Sequence, residues 1–284
     1  MEWTKGWTPV KGIELKDTIY EKKYFYQGGI ARITMAHAKK GLNMMTRNGI
    51  LELIACLRDA RLDDSIGVVI ITGSGEKSFC VGGDIEEEKE GGSLQVFEET
   101  PSIHQHLRLL GKPVIAVVKG YCIGMGNHLA YHCDLTIAAD NAVFGQVGPR
   151  VGSPAGGAIV TYLARVIGHK KAREMWMLCR RYTAQEALQM GLINAVYPLD
   201  KVDEEAEKWC LELLEMNPTC LKIIKASFDS DIENIPHTEP YFPSLIAPNF
   251  FGGKEQIEAM NAFLEKRKPD WGKIVRKRPE DFKA

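Results

Sequence analysis

The chain has 284 residues, of which 45% are hydrophobic and 26% are charged, and its formal net charge is −1. This much apolar material is enough for one large hydrophobic core or two modest ones. Because acidic and basic residues are interspersed and nearly balanced, the composition argues against binding of duplex nucleic acid or of an anionic membrane surface.

The first half of the chain predicts strands that alternate with helices. Residues 66–73 form a continuous apolar run ended by glycine, which is typical of a strand buried on both faces of a parallel sheet. Residues 46–62 carry apolar side chains at helical spacing and predict an amphipathic helix. Further strands are predicted at 30–35, 113–118 and 134–139, and a helix of about two turns at 127–133.

The second half of the chain has mainly helical periodicity. One short strand is predicted at 193–197, and its four prolines make 231–249 an irregular linker. We therefore expect an α/β core over residues 1–200 and a helical C-terminal region over residues 201–284. The predicted helices cover 162–167, 171–179, 184–190, 204–214, 221–228 and 256–264.

The cysteines indicate the redox compartment. The sequence has seven of them, scattered and without a C-x-x-C pair, and we expect no signal peptide. Because such scatter is typical of reduced thiols, we expect a cytoplasmic protein. No apolar run in the sequence approaches the ~20 residues that a membrane-spanning helix needs.

Two glycine-rich turns, at 79–84 and 120–127, each follow a predicted buried strand and stand where a helix begins. Glycine at such a turn lets the backbone approach a ligand and leaves N–H groups available at the helix N-terminus. If the two turns converge, these N–H groups form an oxyanion hole. If they do not, each is only a tight turn.

Motifs for other chemistries are absent from the sequence. Neither turn fits the G-x-G-x-x-G of a dinucleotide-binding unit, and there is no G-x-x-x-x-G-K-[ST] loop and no G-x-S-x-G elbow. His128 and His132 stand four residues apart on a predicted helix, a spacing that can chelate zinc, but no third ligand is specified. We therefore expect neither a metal nor a nicotinamide cofactor.

Five segments, taken in chain order, form one recognisable pattern: SFCVGGD at 78–84, KPVIA at 112–116, GYCIGMG at 120–126, CDLTIA at 133–138 and FGQ at 144–146. This pattern resembles the crotonase (enoyl-CoA hydratase/isomerase) superfamily, and the resemblance extends over roughly residues 18–270. It implies an α/β fold, a crotonase-like spiral of ββα units with a helical C-terminal oligomerisation region. It also implies a homotrimeric or homohexameric enzyme whose coenzyme A enters as part of the substrate.

The resemblance also assigns site residues. It gives the oxyanion-hole N–H groups to Gly83 and Met125. The contacts to substrate or CoA that it implies are Lys40, Val81, Gly82, Asp84, Tyr121, Gly124, Gln146, Val147, Phe251 and Lys266.

The sequence departs from ordinary enoyl-CoA hydratases at their two catalytic glutamates. The matching positions here are His128 and Gly148. Because both carboxylates are absent, the usual addition of water to an enoyl-CoA lacks its acid and its base. We therefore do not expect a routine hydratase.

Other segments are more similar to dihydroxynaphthoyl-CoA synthases and 2-ketocyclohexanecarboxyl-CoA hydrolases. In that subgroup Gly148 matches a glycine that accompanies a bound bicarbonate base, Ser153 a serine that contacts the β-oxygen of the substrate, and Lys266 a lysine that touches CoA. Three departures are Ala155 in place of an aspartate, Phe251 in place of a tyrosine, and a loop at 86–92 without tyrosine. The matching segments are 144–153, 162–165, 170–174 and 261–270.

These observations favour hydrolytic C–C cleavage of a cyclic β-oxoacyl-CoA. Ring closure to dihydroxynaphthoyl-CoA, an atypical hydratase that uses His128, and a non-enzymatic RNA-binding homologue are the alternatives, and the balanced charge argues against the last. The predicted bases are His128, a glutamate of the loop (Glu86, Glu87 or Glu88), or an anion beside Gly148. Ser153 either contacts the β-oxygen or only caps a helix predicted over 155–163.

Overall fold

A computed structural model describes residues 2–3, 9–37, 41–89, 102–233 and 247–271. Its strands are β1 (Thr18–Phe25), β2 (Gly28–Met35), β3 (Ile66–Gly73), β4 (Ser78–Cys80), β5 (Val114–Val118), β6 (Tyr121–Ile123), β7 (Leu135–Ala139), β8 (Val143–Gly145), β9 (Arg181–Thr183) and β10 (Ala195–Tyr197). Its helices are α1 (Arg47–Leu62), α2 (Ile85–Lys89), α3 (Ile103–Leu109), α4 (Met125–His132), α5 (Gly148–Val151), α6 (Ala158–Ile167), α7 (His169–Leu178), α8 (Ala184–Gln189), α9 (Val202–Leu214), α10 (Pro218–Glu233) and α11 (Lys254–Leu264).

The longer strands form a sheet in the order β1-β2-β3-β5-β7-β10. The β1–β2 hairpin is antiparallel, and the remaining pairs are parallel. Along β3, Val69 and Ile71 belong to one hydrophobic core, while Val68 and Ile70 belong to a second core on the opposite face. Because both faces are covered, the strand is apolar throughout, which confirms the prediction of a buried parallel sheet.

The short strands form a second sheet in the order β4-β6-β8-β9. The sequence did not predict this sheet, because three-residue strands are too short to show a period. Its strands β4 and β6 lie at the start of the two predicted glycine turns and pair in parallel. The predicted turns therefore leave from neighbouring strands of one sheet, which brings them together.

The two sheets are linked by a repeated unit. Each of β3, β5 and β7 in the large sheet leads directly into β4, β6 or β8 of the small one, and a helix follows each pair. This is the spiral of ββα units that the sequence predicted. The repeat carries the end of each short strand, and the helix that follows it, to the same side of the fold.

The helices after residue 200 pack in two places. Val202, Ala206 and Cys210 of α9 belong to the core on the second face of the large sheet. Helix α11 packs on α5, and the buried Gln256 Nε2 donates to the Gly152 carbonyl oxygen at 3.2 Å. The C-terminal region thus contributes both to the sheet core and to the wall of the site, and the domain division at residue 200 stays a prediction.

Helix α10 is longer than predicted and shortens the proposed linker, of which 234–246 lies outside the described residues. The helix is joined to the large sheet by an ion pair between the buried Lys225 Nζ and the partly exposed Asp134 Oδ2 at 2.6 Å. Asp134 Oδ2 also accepts the Val114 N–H at 2.8 Å, so the pair joins α10 to the start of β5. None of the described helices is both long and apolar enough to cross a bilayer.

Gly126 allows a test of how closely the two glycine turns must pack. A β-carbon at this position would overlap the Cys80 carbonyl oxygen, and backbone cannot move aside as a flexible side chain would. We expect Gly126→Ala to lower the free energy of unfolding by about 1–3 kcal/mol.

The matched control is Gly49→Ala in α1, where the nearest atoms would be 3.4 Å away. Alanine is the better helix former, so this variant should be as stable as the parent or up to ~1 kcal/mol more stable. Urea denaturation of both variants measures the difference. Equal stability of the two variants would show that β4 and α4 have room between them.

Candidate active site

A cavity of about 510 Å³ lies where the segments that follow β4, β6 and β8 meet. Its wall is completed by the loop before α6 and by residues of α11. Predicted site residues that line it are Val81, Gly82, Gly83, Asp84, Tyr121, Gly124, Met125, His128, Gln146, Val147, Gly148, Ser153 and Phe251. The sequence therefore located the cavity from segments far apart in the chain.

The N–H group of Gly83 points away from the backbone of Met45, its neighbour in the fold. The Gly82 carbonyl accepts the Met45 N–H at 2.8 Å, and the Asp84 N–H donates to the Met45 carbonyl at 3.2 Å. Because both groups that flank Gly83 point toward Met45, its own N–H points to the opposite side. Gly83 lines the cavity, so this N–H is available there.

Met125 is the first residue of α4, so its N–H has no acceptor within the helix. Gly82 has a φ of +103° and Gly124 a φ of +59°, conformations that glycine adopts at little cost. A β-carbon on Gly82 would lie 3.6 Å from the Met125 nitrogen. The turn that carries Gly83 and the N-terminus of α4 are therefore in contact, and both line one cavity.

His128 lies among buried aromatic side chains. Its Nδ1 is 3.0 Å from His104 Nε2 on α3, and the His104 ring lies 4.3 Å from the His132 ring. His132 in turn stacks on Tyr162 at 4.7 Å. Burial lowers the pKa of His128 to about 3, which corrects the expectation of a base with an ordinary histidine pKa.

The other two imidazoles are also neutral. Burial lowers the pKa of His104 and of His132 well below the ordinary value, and His128 and Arg108 lower both further. His128 and His132 thus belong to a cluster of imidazoles rather than to a closed ligand set. Within the described ranges, no group of three or more His, Cys, Asp or Glu side chains is placed to hold a metal ion.

Gly148 begins the short helix α5 and has no space for a side chain. A β-carbon there would overlap the Ser153 carbonyl oxygen, and the Ser153 N–H donates to the Gly148 carbonyl at 3.1 Å. The carbonyl that fills this space would repel an anion, which disfavours bicarbonate on that side of Gly148. A glutamate here, as in ordinary hydratases, would require the loop to move.

Ser153 is not a helix cap. The helix predicted over 155–163 begins at Ala158, and Gly157 is its N-cap residue. Ser153 lies in the loop before it and lines the cavity, together with Pro154 and Ala155. This placement agrees with a substrate-facing hydroxyl and excludes the capping role.

Carboxylates reach the cavity from the loop after Gly83. Asp84 Oδ1 accepts the Glu86 N–H at 3.0 Å, which fixes the start of α2. Glu87 Oε2 accepts the Arg47 N–H at 2.7 Å and so ties α2 to α1. Glu86 itself is exposed and lines the cavity. The Glu88 side chain and Glu90 lie outside the described part of the structure.

Two predicted contacts are not among the residues that the structure places at the cavity, one because it is not described and one because it lies elsewhere. Lys40 lies outside the described residues. Lys266 is exposed just beyond α11 and is not among the residues that line the cavity, although Phe263 and Leu264 of that helix are. The lysine contact to CoA therefore stays a prediction.

Other residues of the lining were missed by sequence reasoning. Trp176 on α7 lines the cavity, and its indole nitrogen is buried without a partner among the described residues. The Arg181 guanidinium lies 5.7 Å from the centre of the Tyr121 ring at the cavity wall. No motif marks either residue, since β9 brings Arg181 to the site only through its pairing with β8.

Comparisons with known proteins agree with this architecture. A family model described as enoyl-CoA hydratase/isomerase matches residues 26–274. An enoyl-CoA hydratase from Mycobacterium avium subsp. paratuberculosis K-10 is 26% identical with a TM-score of 0.74, covering 92% of this chain and 99% of that chain. An enoyl-CoA hydratase/carnithine racemase from Magnetospirillum magneticum is 26% identical with a TM-score of 0.70, covering 90% of this chain and 96% of that chain.

The imidazole cluster predicts a loss of stability in mild acid. In the unfolded chain each histidine binds a proton near its ordinary pKa of about 6.5, whereas the folded chain keeps His104, His128 and His132 neutral. The unfolded state therefore binds more protons below about pH 6.5, and stability falls as the pH falls through that value.

His132→Phe keeps a ring against Tyr162 but cannot bind a proton. Between pH 7.5 and 5.5 we expect this variant to lose about 1 kcal/mol less stability than the parent, because one buried histidine costs roughly 1.4 kcal/mol per pH unit. Urea denaturation at the two pH values measures both losses. If parent and variant lose the same amount of stability, His132 binds its proton in the folded protein over the same pH range as in the unfolded chain.

Proposed function

Because the chain belongs to the enoyl-CoA hydratase/isomerase family, we propose that it binds an acyl-CoA thioester and stabilises the thioester enolate with the N–H groups of Gly83 and Met125. The observation that supports this proposal is that Gly83, whose N–H turns away from Met45, and Met125, whose N–H begins α4, line one cavity. Such donors act on charge that develops during the reaction, and each contributes roughly 3–4 kcal/mol in acyl-transfer enzymes.

We further propose that the reaction is hydrolytic cleavage of a C–C bond in a cyclic β-oxoacyl-CoA. Water attacks the ring ketone at the β-position, and the bond between the β- and α-carbons breaks. Its electron pair forms the thioester enolate, which is held by Gly83 and Met125 until the α-carbon takes up a proton. The product is a ring-opened acyl-CoA that ends in a carboxylic acid.

The positions of the missing glutamates support this choice over hydration of an enoyl-CoA. A buried imidazole of low pKa occupies one position, and the other accepts no side chain because of the Ser153 carbonyl. Addition of water across a double bond needs a carboxylate pair that the cavity does not supply at these positions. Ring cleavage needs the enolate site, one base and a donor to the β-oxygen.

We propose Glu86 as that base. His128 is a weak base because of its burial, and Glu87 is not among the residues that line the cavity. Glu86 lines the cavity from the helix that directly follows Gly83 and Asp84. An exposed carboxylate in the cavity lining can take a proton from water and return it to solvent.

The assembly proposed for this chain is a homotrimer or homohexamer. Support comes from α10, on which Ile223, Ile224 and Phe228 are 60%, 51% and 77% exposed. Side chains of this size on one helix are typical of a surface that a second copy covers. Cytoplasmic localisation and the absence of a tightly bound cofactor stay predictions.

A panel of CoA esters tests the reaction. We expect the protein to add one water to a cyclic β-oxoacyl-CoA and to open its ring, as measured by mass spectrometry of the product. Loss of water from succinylbenzoyl-CoA with naphthalene-type absorbance would instead support the ring-closing synthase. Gain of water by an enoyl-CoA without ring opening would support an atypical hydratase, and either result would overturn the hydrolase.

Replacement of the proposed base gives a second test. Glu86→Gln keeps the size of the side chain and removes its basicity, so we expect kcat to fall about 100-fold or more with little change in the affinity for the ester. The control is Glu76→Gln, an exposed glutamate outside the cavity lining, which should leave both quantities unchanged. Full activity of Glu86→Gln would show that Glu86 is not the base and would leave the other loop glutamates as candidates.

A further inference from the structure

The histidine at the cavity has only one nitrogen available for a substrate. His128 lines the cavity, and its Nδ1 is engaged with His104 Nε2 at 3.0 Å. Nε2 is therefore the atom that it presents to the cavity. Whether this atom donates or accepts a hydrogen bond depends on where the single proton of the His104–His128 pair lies.

Two arrangements of that proton are possible for neutral rings. In the first, His104 donates from Nε2 to His128 Nδ1, and His128 then carries its own proton on Nε2. In the second, His128 donates from Nδ1, and His104 must carry its proton on Nδ1. These arrangements leave opposite groups facing the cavity: an N–H in the first and a bare nitrogen in the second.

The surroundings of His104 select between them. His104 is 3% exposed, and its Nδ1 has no hydrogen-bond partner among the described residues. Arg108, one turn further along α3, has a buried Nη1 that also lacks a partner in the described part of the chain, and its charge acts on His104. A proton on His104 Nδ1 would add a buried donor without an acceptor next to a cation. A bare Nδ1 adds no such donor, and the positive charge of Arg108 favours its lone pair over a proton.

The other groups near the pair are aromatic rings and a more distant cation. The His132 ring lies 4.3 Å from the His104 ring and the Tyr131 ring lies 6.4 Å from the His128 ring, whereas Tyr162 and Lys225 act on His132. Among the described residues, neither His104 nor His128 has an ion pair with a carboxylate that would draw a proton to the far nitrogen. The pair is thus unlike a histidine held by an aspartate, in which the nitrogen that faces the substrate is bare.

We propose that His128 is a neutral hydrogen-bond donor to an oxygen of the acyl group, and that His104 is the positioning residue that holds it in the Nε2–H form. This proposal rests on the proposed function, and it names the β-oxygen of the acyl group as the atom that His128 contacts. A neutral donor there stabilises the negative charge that develops on that oxygen when water attacks the ring ketone. In that step Glu86 takes the proton from the attacking water, and His128 donates a hydrogen bond to the β-oxygen.

Nitrogen NMR of the protein with ¹⁵N-labelled imidazole rings tests the proton position without any substrate. The signals of His128 are assigned by their loss in His128→Gln. At pH 7.5 and at pH 5.5 we expect a protonated Nε2 and an unprotonated Nδ1. A proton on Nδ1 alone, or an imidazolium at pH 5.5, would overturn the assignment.

His104 is tested by two variants that differ in their ability to donate. His104→Gln retains an N–H group for His128 Nδ1, whereas His104→Phe fills the space without one. We expect the Nε2–H signature of His128 to persist in the Gln variant and to give way to a mixture of the two forms in the Phe variant. If both variants keep the parent signature, His104 does not set the proton position. Circular dichroism and thermal melting show whether each variant is folded.

The contact with the acyl group is tested by His128→Gln and His128→Leu on the CoA ester that the parent converts. We expect kcat/KM to fall about 100-fold in the Leu variant, the usual loss for one such donor, and to recover partly in the Gln variant. Equal activity of the Leu variant and the parent would overturn the donor role. If the parent converts no acyl-CoA at all, the proposed function fails, while the NMR result still decides the form of His128.

Discussion

The structure depends on the close approach of two backbones, the turn after β4 and the N-terminus of α4. A β-carbon on Gly126 would overlap the Cys80 carbonyl oxygen, and one on Gly124 would lie 3.6 Å from the Gly82 Cα. At Gly126, no larger residue could stand without separating the two elements. Because the crossing is made of backbone, the N–H groups of Gly83 and Met125 are placed by the chain trace and not by side-chain rotamers.

An anion site made of backbone leaves the side chains around it free to differ. The positions that carry catalytic glutamates in ordinary hydratases hold an imidazole at 128 and no side chain at 148. The Ser153 carbonyl fills the space beside Gly148. A glutamate side chain at position 148 would therefore clash with the loop before α6. The proposed enolate site can therefore serve different reactions, and membership of the family specifies the fold more closely than the reaction.

The elements that could be predicted from the sequence are those whose own residues show a clear hydrophobic pattern. The apolar run of β3 and the helical spacing of α1 are local patterns, and both elements appear within about a residue of their predicted bounds. The small sheet has strands of three residues, which no period can reveal. The glycine turns located the cavity, yet Trp176 and Arg181 reach it through packing and strand pairing that no local pattern encodes.

The chemical character of His128 was the least predictable property, because it is set by residues distant in the sequence. His104 stands 24 positions earlier in the chain on another helix, and Tyr162 lies on a third. Burial among them converts a side chain that would titrate near neutral pH into one that stays neutral. Because its pKa is so low, His128 is a poor substitute for the glutamate base of a hydratase, but a neutral imidazole can donate a hydrogen bond where negative charge develops. We therefore propose that the base comes from an exposed element, because a carboxylate keeps its charge in contact with water; Glu86 of α2 is an exposed carboxylate in the cavity lining.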